Sequence, residues 1–378
     1  MTLIETRGLA VMSDGARVRW RTLAAAALGD AVPGGAEAGG TRADGAGPGR
    51  AGAGGADGGK ARTDGAGADG AGSFDAGASN GCAGEPGSDG GRQEGSRPSG
   101  VGRKPAVVLL HGGPGLPDYL GELAPMVADL APVYRYDQRG TGASPWEGRH
   151  SLERHVDDLA ELVEHWGAAE VVLVGHSYGT DLAARFCLAH PGRASAVLLM
   201  CGPFVGDWRA PYRAERDRRM PARERERLGA LESLPRRTEA QEVELLTLAW
   251  FTDHADPERG RARAARDAGR RRPVNWFMNA ELGAAARADP LDARLDELRA
   301  CLPQRTELLA GVADPRPVSA LAALARRLDI PLIAIEAAGH EPWLEAPAAI
   351  RTHLRTFLRT ALAQTGTAPA SPVPGDGS

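Results

Sequence analysis

The stretch Val171-Val172-Leu173-Val174-Gly175-His176-Ser177-Tyr178-Gly179, continuing to His190, decides the architecture. Its first four residues are apolar and mostly β-branched, which suits a strand buried on both faces of a parallel sheet. From Gly179 to His190 the pattern is helical, and Pro191-Gly192 stops it. Between strand and helix stands G-x-S-x-G. A hydroxyl is a weak nucleophile at its ordinary pKa and must be held in the open beside a base. A sharp strand-to-helix turn does this. Gly175 and Gly179 let the backbone turn without Cβ clashes, and the helix N-terminus favours the negative charge of a tetrahedral oxyanion. Ser177 is therefore the candidate nucleophile.

Working outward, short apolar runs recur at Ala106–Leu110, Val133–Tyr136, Ala196–Met200, Thr306–Ala310 and Pro331–Ile335. Helical patterns at Ser151–Trp166, Val318–Leu328 and Ala346–Leu362 lie between or beyond them. Such alternation predicts an α/β fold with a mostly parallel open sheet. Residues Glu5 to Leu23 read as an antiparallel hairpin around Ser13-Asp14-Gly15. From about Pro203 to Pro290 no strand-like run occurs. Charged helical segments such as Arg213–Gly229 and Glu239–Phe251 predict a helical cap there.

The chain has 378 residues, and most of its 50 glycines crowd between Gly29 and Gly102. That segment lacks the large apolar residues needed to offset the entropy of ordering it. The expected division is a hairpin at 1–28, a disordered insertion at 29–104, and core at 105–202. A cap at 203–290, core again at 291–363 and a disordered tail at 364–378 complete it. The insertion separates the hairpin from the strands it joins, at little cost, because closure entropy grows only logarithmically with length.

A net charge of -4 gives no electrostatic footprint for nucleic acid. No apolar run reaches the ~18–20 residues of a membrane span, and Leu23–Leu28 is too short and too far in for a signal peptide. Cys82, Cys187, Cys201 and Cys301 are scattered, with no metal-ligand spacing. A reducing, cytoplasmic setting without metal or cofactor is expected. The G-x-G-x-x-G strings at Gly47–Gly52 and Gly65–Gly70 neither follow a strand nor open a helix, so they do not read as dinucleotide sites. The basic runs Arg213–Arg227 and Arg259–Arg272 read as solvated helix faces.

His111-Gly112-Gly113-Pro114-Gly115 directly follows the strand Ala106–Leu110. Its glycines free backbone N–H groups to face a site, so the N–H groups of Gly113 and Tyr178 are the expected oxyanion donors. His111 reads as structural. The base should come late, since the order for this elbow is Ser, acid, His. Of nine histidines, His340, in Ala338-Gly339-His340-Glu341-Pro342 just past the last strand, is placed for it. His150, His155, His165 and His353 look solvated, His190 ends a helix and His254 lies in the cap. The side chain of His176 is expected to point away. For the acid, Asp314 follows the strand Thr306–Ala310 and is favoured; Asp207, after the strand ending at Met200, competes.

The motifs HGGPG (111–115), YDQRGTGAS (136–144) and GHSYG (175–179), with the late Gly339-His340, together resemble the proline iminopeptidase branch of the α/β-hydrolases, peptidase family S33. The resemblance covers most of the chain outside the insertion and tail. It implies an α/β-hydrolase fold, with a mostly parallel eight-stranded sheet, an N-terminal hairpin and a cap that selects substrate. It implies a Ser177-His340-Asp314 triad and an oxyanion hole at Gly113 and Tyr178. Asp137 and Arg139 would support the site structurally. Family members hold a free amine with cap glutamates, which makes Glu281 the substrate-binding candidate, with Trp276 or Phe277 lining a proline pocket. The expected partner is a short peptide or small molecule. The rivals are an esterase or lactonase on a small metabolite, and a ligand binder without turnover. Dehalogenases and epoxide hydrolases use aspartate at the elbow and are disfavoured.

Overall fold

Each central strand buries side chains on both faces, and alternate residues go to two different cores. The computed structural model describes residues 2–26, 105–168, 170–271 and 273–365. The insertion expected at 29–104 lies outside them, as does the tail from 366 on. Eight strands form one sheet: β1 (Leu3–Val11), β2 (Arg17–Ala25), β3 (Ala106–Leu110), β4 (Val133–Tyr136), β5 (Val171–His176), β6 (Ala194–Met200), β7 (Arg305–Gly311) and β8 (Leu332–Ile335). Their order is β1-β2-β4-β3-β5-β6-β7-β8. β1 pairs antiparallel with β2, β2 antiparallel with β4, and β3 to β8 run parallel. Val108, Leu110, Val171 and Leu173 enter one core, while Val107, Leu109, Val172 and Val174 enter the other. This is the period-2 alternation of a strand applied to a two-sided sheet.

The helices are α1 (Leu152–His165), α2 (Tyr178–Ala189), α3 (Arg209–Arg219), α4 (Ala222–Glu232), α5 (Glu239–Trp250), α6 (Pro257–Arg270), α7 (Trp276–Ala288), α8 (Leu295–Cys301), α9 (Val318–Leu328), α10 (Pro342–Glu345) and α11 (Pro347–Thr365). Helices α1, α2, α8 and α9 cover the first core and α11 covers the second. Ser151 caps α1 by accepting from the Arg154 N–H. Between β6 and β7 the described residues form α3 to α8, with a core of their own around Leu228, Leu231, Leu245, Leu246 and Phe251.

Two expectations are corrected. The single helical run Arg213–Gly229 is two helices, broken at Met220-Pro221, where Met220 is extended (φ -99°, ψ 130°). Proline clashes with an α-conformation in the residue before it, so the helix ends there and restarts after Pro221. His150 and His155 are buried rather than solvated, their rings joined by a 3.2 Å hydrogen bond.

The topology places the chemistry. β4 and β5 flank β3 on opposite sides, so the strand order reverses at β3. Ligands of open α/β sheets bind outside the carboxyl ends of the strands at such a switch point. The loops leaving β3 and β5 are His111–Gly115 and the Ser177 turn.

Candidate active site

Ser177 has φ 53° and ψ -122°, a conformation that L-residues rarely adopt. The surroundings hold it there. Its N–H donates to the Met200 carbonyl at 3.0 Å, and its carbonyl accepts from the N–H of Thr180 at 2.9 Å and from the hydroxyl of Thr180. The turn is also too tight for side chains beside it. A Cβ on Gly179 would stand 2.0 Å from the carbonyl oxygen of Leu110, because the first turn of α2 presses on the end of β3.

His340 and Asp314 arrive from the ends of β8 and β7. His340 Nδ1 lies 2.6 Å from Asp314 Oδ2, both groups buried. The other carboxylate oxygen, Oδ1, accepts from the backbone N–H of Arg316 at 2.9 Å and from its Nη1 at 3.2 Å. Burial alone would raise the pKa of Asp314, but His340 and Arg316 outweigh it and hold it at about 2. The competing Asp207 is exposed in the loop after β6. Ser177, His340 and Gly113 line one cavity. Gly113 adopts φ 52°, and Tyr178 opens α2 directly after the serine.

His176 departs from expectation, for its side chain lies against the site. Its burial lowers its pKa to about 3, so the ring is neutral. The hydroxyl of Tyr119 accepts from the Gly112 N–H at 2.9 Å and lies 2.7 Å from His176 Nδ1. His176 Nε2 lies 2.8 Å from the carbonyl oxygen of His340, which can only accept. The proton is therefore on Nε2, and Tyr119 donates to Nδ1. This chain of neutral groups ties the loop after β3 to the loop carrying His340. His176, Cys201 and His340 also bring ligand-type atoms within 4.8 Å of one another. Both His176 nitrogens and His340 Nδ1 already have hydrogen-bond partners, so little is left to bind an ion.

His111 is buried, with Nε2 accepting from the Gln138 N–H at 3.3 Å. Asp137 Oδ1 accepts from the Asp118 N–H at 2.9 Å and Oδ2 from the Ala143 N–H at 3.1 Å. Arg139 bridges Asp158 and Asp14, tying the loop to α1 and to the hairpin turn.

Two lobes meet at Ser177. The polar one, about 50 Å³, is lined by Asp253, Asp267 and Arg271 of the cap and by Arg316 and Glu341 of the core. The second, about 130 Å³, is lined largely by apolar groups, among them Pro203, Phe204, Trp208 and Leu282. The cap residues expected to bind substrate line neither lobe. Glu281 accepts from the His150 N–H at 2.7 Å and pairs with Arg149 at 2.7 Å. Trp276 donates from Nε1 to Glu242 at 2.7 Å, and Phe277 is 52% exposed against the edge of His150. For Phe277 and Glu281 the reason is helix phase. Residues Asn279, Leu282, Gly283 and Ala286 of α7 share the face that lines the apolar lobe, as their spacing requires. Phe277 and Glu281, also four apart, lie on another face. Asn279 Nδ2 donates to the Pro114 carbonyl at 2.9 Å, and the Asn275 N–H donates to that of Gly115 at 2.8 Å. These two asparagines pin the cap to the loop after β3. The N-cap role of Asn275 would have set the phase and exposed both.

Residues 105–286 match the family model described as the alpha/beta hydrolase fold. A proline iminopeptidase of Heyndrickxia coagulans is 40% identical over 101 residues, covering 24% of this chain and 33% of that protein. The chain therefore matches about a third of that relative's length. The crystal structure of a proline iminopeptidase from Mycobacterium smegmatis superposes with a TM-score of 0.50 at 18% identity, covering 69% of this chain and 94% of that one. A thermophilic esterase from Thermogutta terrifontis superposes at 0.51 with 26% identity, covering 69% and 92%. The chain has the α/β-hydrolase fold. Its similarity runs to the proline iminopeptidase-like branch. No helix among the described residues is long and apolar enough to cross a membrane.

Proposed function

We propose that the protein is a serine hydrolase working through an acyl-enzyme, of proline iminopeptidase type, on short peptides or amides with a free N-terminus. The observation that carries the reading is the 2.6 Å Asp314–His340 bond beside a cavity that His340 shares with Ser177. Ser177 Oγ attacks the carbonyl carbon while His340 Nε2 takes its proton. The N–H groups of Gly113 and Tyr178 hold the oxyanion. As the tetrahedral species collapses, His340 returns the proton to the leaving amine. Water then attacks the acyl carbon as His340 takes its proton, and collapse of this second tetrahedral species breaks the bond to Oγ, the proton returning from His340 to Ser177 as the acid leaves.

The polar lobe supports an ammonium group. Three carboxylates (Asp253, Asp267, Glu341) face two guanidiniums (Arg271, Arg316), and His254 faces Glu345. One negative charge is left over. Asp267 is the acid with the least compensation, paired with Arg271 at 3.4 Å and Arg266 at 3.9 Å. Burial raises its pKa, so an arriving cation would stabilise its ionised form. Asp267 takes the part first expected of Glu281. A second reading, an esterase on a small metabolite, is favoured by the apolar lobe that also opens on Ser177 and by the likeness to the thermophilic esterase. We place the protein in a reducing cytoplasm; the described cysteines Cys187, Cys201 and Cys301 are unpaired thiols.

Purified protein should react with a fluorophosphonate probe at Ser177 and turn over prolyl-naphthylamide. Asp267→Asn should lower kcat/KM for that substrate at least about tenfold and leave nitrophenyl acetate within about twofold, since one buried charge-assisted contact contributes ~1.5–3 kcal/mol. Turnover of the ester alone would replace the peptidase reading with the esterase one. Absence of labelling on folded protein would leave a ligand binder.

A further inference from the structure

The guanidinium of Arg316 lies between two carboxylates that belong to different parts of the molecule. One is Asp314, reached at 3.2 Å from Nη1. The other is Asp253, in the 3₁₀ turn of the cap after α5, reached at 3.0 Å from Nη1 and 3.3 Å from Nη2. The guanidinium is buried and stacks 4.6 Å from the Tyr212 ring of α3. The same turn of the cap also touches the loop of the base: the His340 N–H donates to the Asp253 carbonyl at 2.8 Å. A Cβ on the neighbouring Gly339 would lie 2.1 Å from that carbonyl, so the contact is as close as backbone allows. Arg219 of α3 closes the cluster, giving Nη1 to the carbonyls of Thr252 at 3.0 Å and Ala313 at 2.7 Å.

We propose that Arg316 and Asp253 form a positioning pair that clamps the cap to the catalytic acid and base, so that the geometry of Asp314 and His340 depends on the cap being seated. The inference rests on the serine hydrolase reading. Asp314 has two oxygens, and His340 uses one. Without a donor on the other, the carboxylate could rotate about its χ2 bond, which is broad and roughly two-fold. The Arg316 backbone N–H alone would leave that rotation loosely restrained. The planar fork of Arg316 fixes it and transfers the restraint to the cap, which a single lysine ammonium cannot do in both directions. Arg316 also lines both substrate lobes, so a bound substrate lies against the clamp.

The charges make the role testable apart from folding. Groups facing Asp314 are His340, Arg316 and the Cys201 thiol; those facing Arg316 are Asp253, Asp314 and Tyr212. Arg316→Met removes a positive charge beside the acid–base pair, which favours the protonated pair. The acid limb of the kcat/KM profile for nitrophenyl acetate should move to higher pH by about one unit. Asp253→Asn removes the charge that offsets Arg316, so the limb should move to lower pH. Arg316→Lys keeps the charge and loses the fork, so the limb should stay while kcat falls, by about tenfold to hundredfold as for other supporting contacts. Opposite limb shifts in the Met and Asn variants, both labelled by fluorophosphonate, support the clamp. Unmoved limbs in both, or wild-type rates in all three variants, overturn it. If Arg316→Met does not fold, the Lys and Asn variants decide in the same way. Failure of the wild-type protein to be labelled would instead remove the hydrolase reading, and the clamp with it.

Discussion

The core half of the site and the cap half are built by different means. On the core side, backbone does the positioning. Ser177 sits in a strained turn between packed strands, and Gly113 and Gly339 occupy places where a side chain has no room or a poor conformation. On the cap side, side chains add to the backbone contacts at Asp253 and Asn275, through Asp253–Arg316, Arg271–Glu341, Asn275 Nδ2 on the Gly140 carbonyl and Asn279 on the Pro114 carbonyl. Backbone restraint ties chemistry to a few short motifs. Side-chain restraint lets the lining of the cavity be rewritten by changing residues without moving Ser177. Arg271 shows how closely the halves engage. It pairs with Glu341 at 2.5 Å, stacks 4.2 Å from the Tyr119 ring and thereby touches the neutral relay behind His340.

The sharpest way to break the contrast compares two glycine substitutions. Gly179→Ala should lower activity more than about hundredfold and lower Tm by several degrees, because its Cβ meets the backbone of a central strand and overpacking costs ~1–3 kcal/mol or more. Gly229→Ala, in α4 with nothing within 4 Å, should leave activity unchanged and raise stability by about 0.5–1 kcal/mol. Equal effects on thermal melting and turnover would abolish the distinction.

A smaller effect separates the two faces of α7. Asn279→Ala should raise KM or lower kcat about tenfold, since it releases a buried carbonyl of the loop after β3. Glu281→Ala should change kinetics less than about twofold, because its partners lie at Arg149 and His150. Steady-state assays that found Glu281 the more sensitive position would return it to the site.

The smallest effect concerns the relay. His176 has an ordinary pKa of 6.5 lowered to about 3 by burial. Between those values the unfolded chain binds a proton that the folded chain does not, so stability rises with pH across that window. Denaturant midpoints should therefore fall as pH drops from 6.5 towards 3. The buried His111 and His155, also lowered by burial, add to the slope. His176→Gln should flatten part of it while leaving midpoints above pH 7 nearly as before. An unchanged slope would show that the ring is not held neutral.

The residues near strand ends were legible in the sequence because each motif is local. Gly175 to Gly179 and His111 to Gly115 carry their own turn chemistry, and the apolar runs beside them mark the strands. His340 and Asp314 could be placed by order along the chain, since each follows a strand whose carboxyl end must face the same rim. The cap was legible as helices only. Charge runs continuously along Arg213–Gly229 and masks the break that Pro221 imposes on the backbone of the residue before it. Within α7, Glu281 stood out by residue type, but its face could be known only once the N-cap at Asn275 fixed the rotation of the helix.

By itself, then, the sequence determined the alternating sheet, the elbow at Ser177 and the loops that meet it, because strand period and turn chemistry act over a few residues. Only the tertiary structure decided that His176 points at the back of His340, that Asp267 rather than Glu281 faces the cavity, and that Arg316 joins Asp253 to Asp314. Those pairings span between 2 and 164 residues of chain, and even the shortest takes its meaning from a cap turn 63 residues away. Side-chain direction across such gaps is set by how packed helices rotate and seat, which local pattern does not encode.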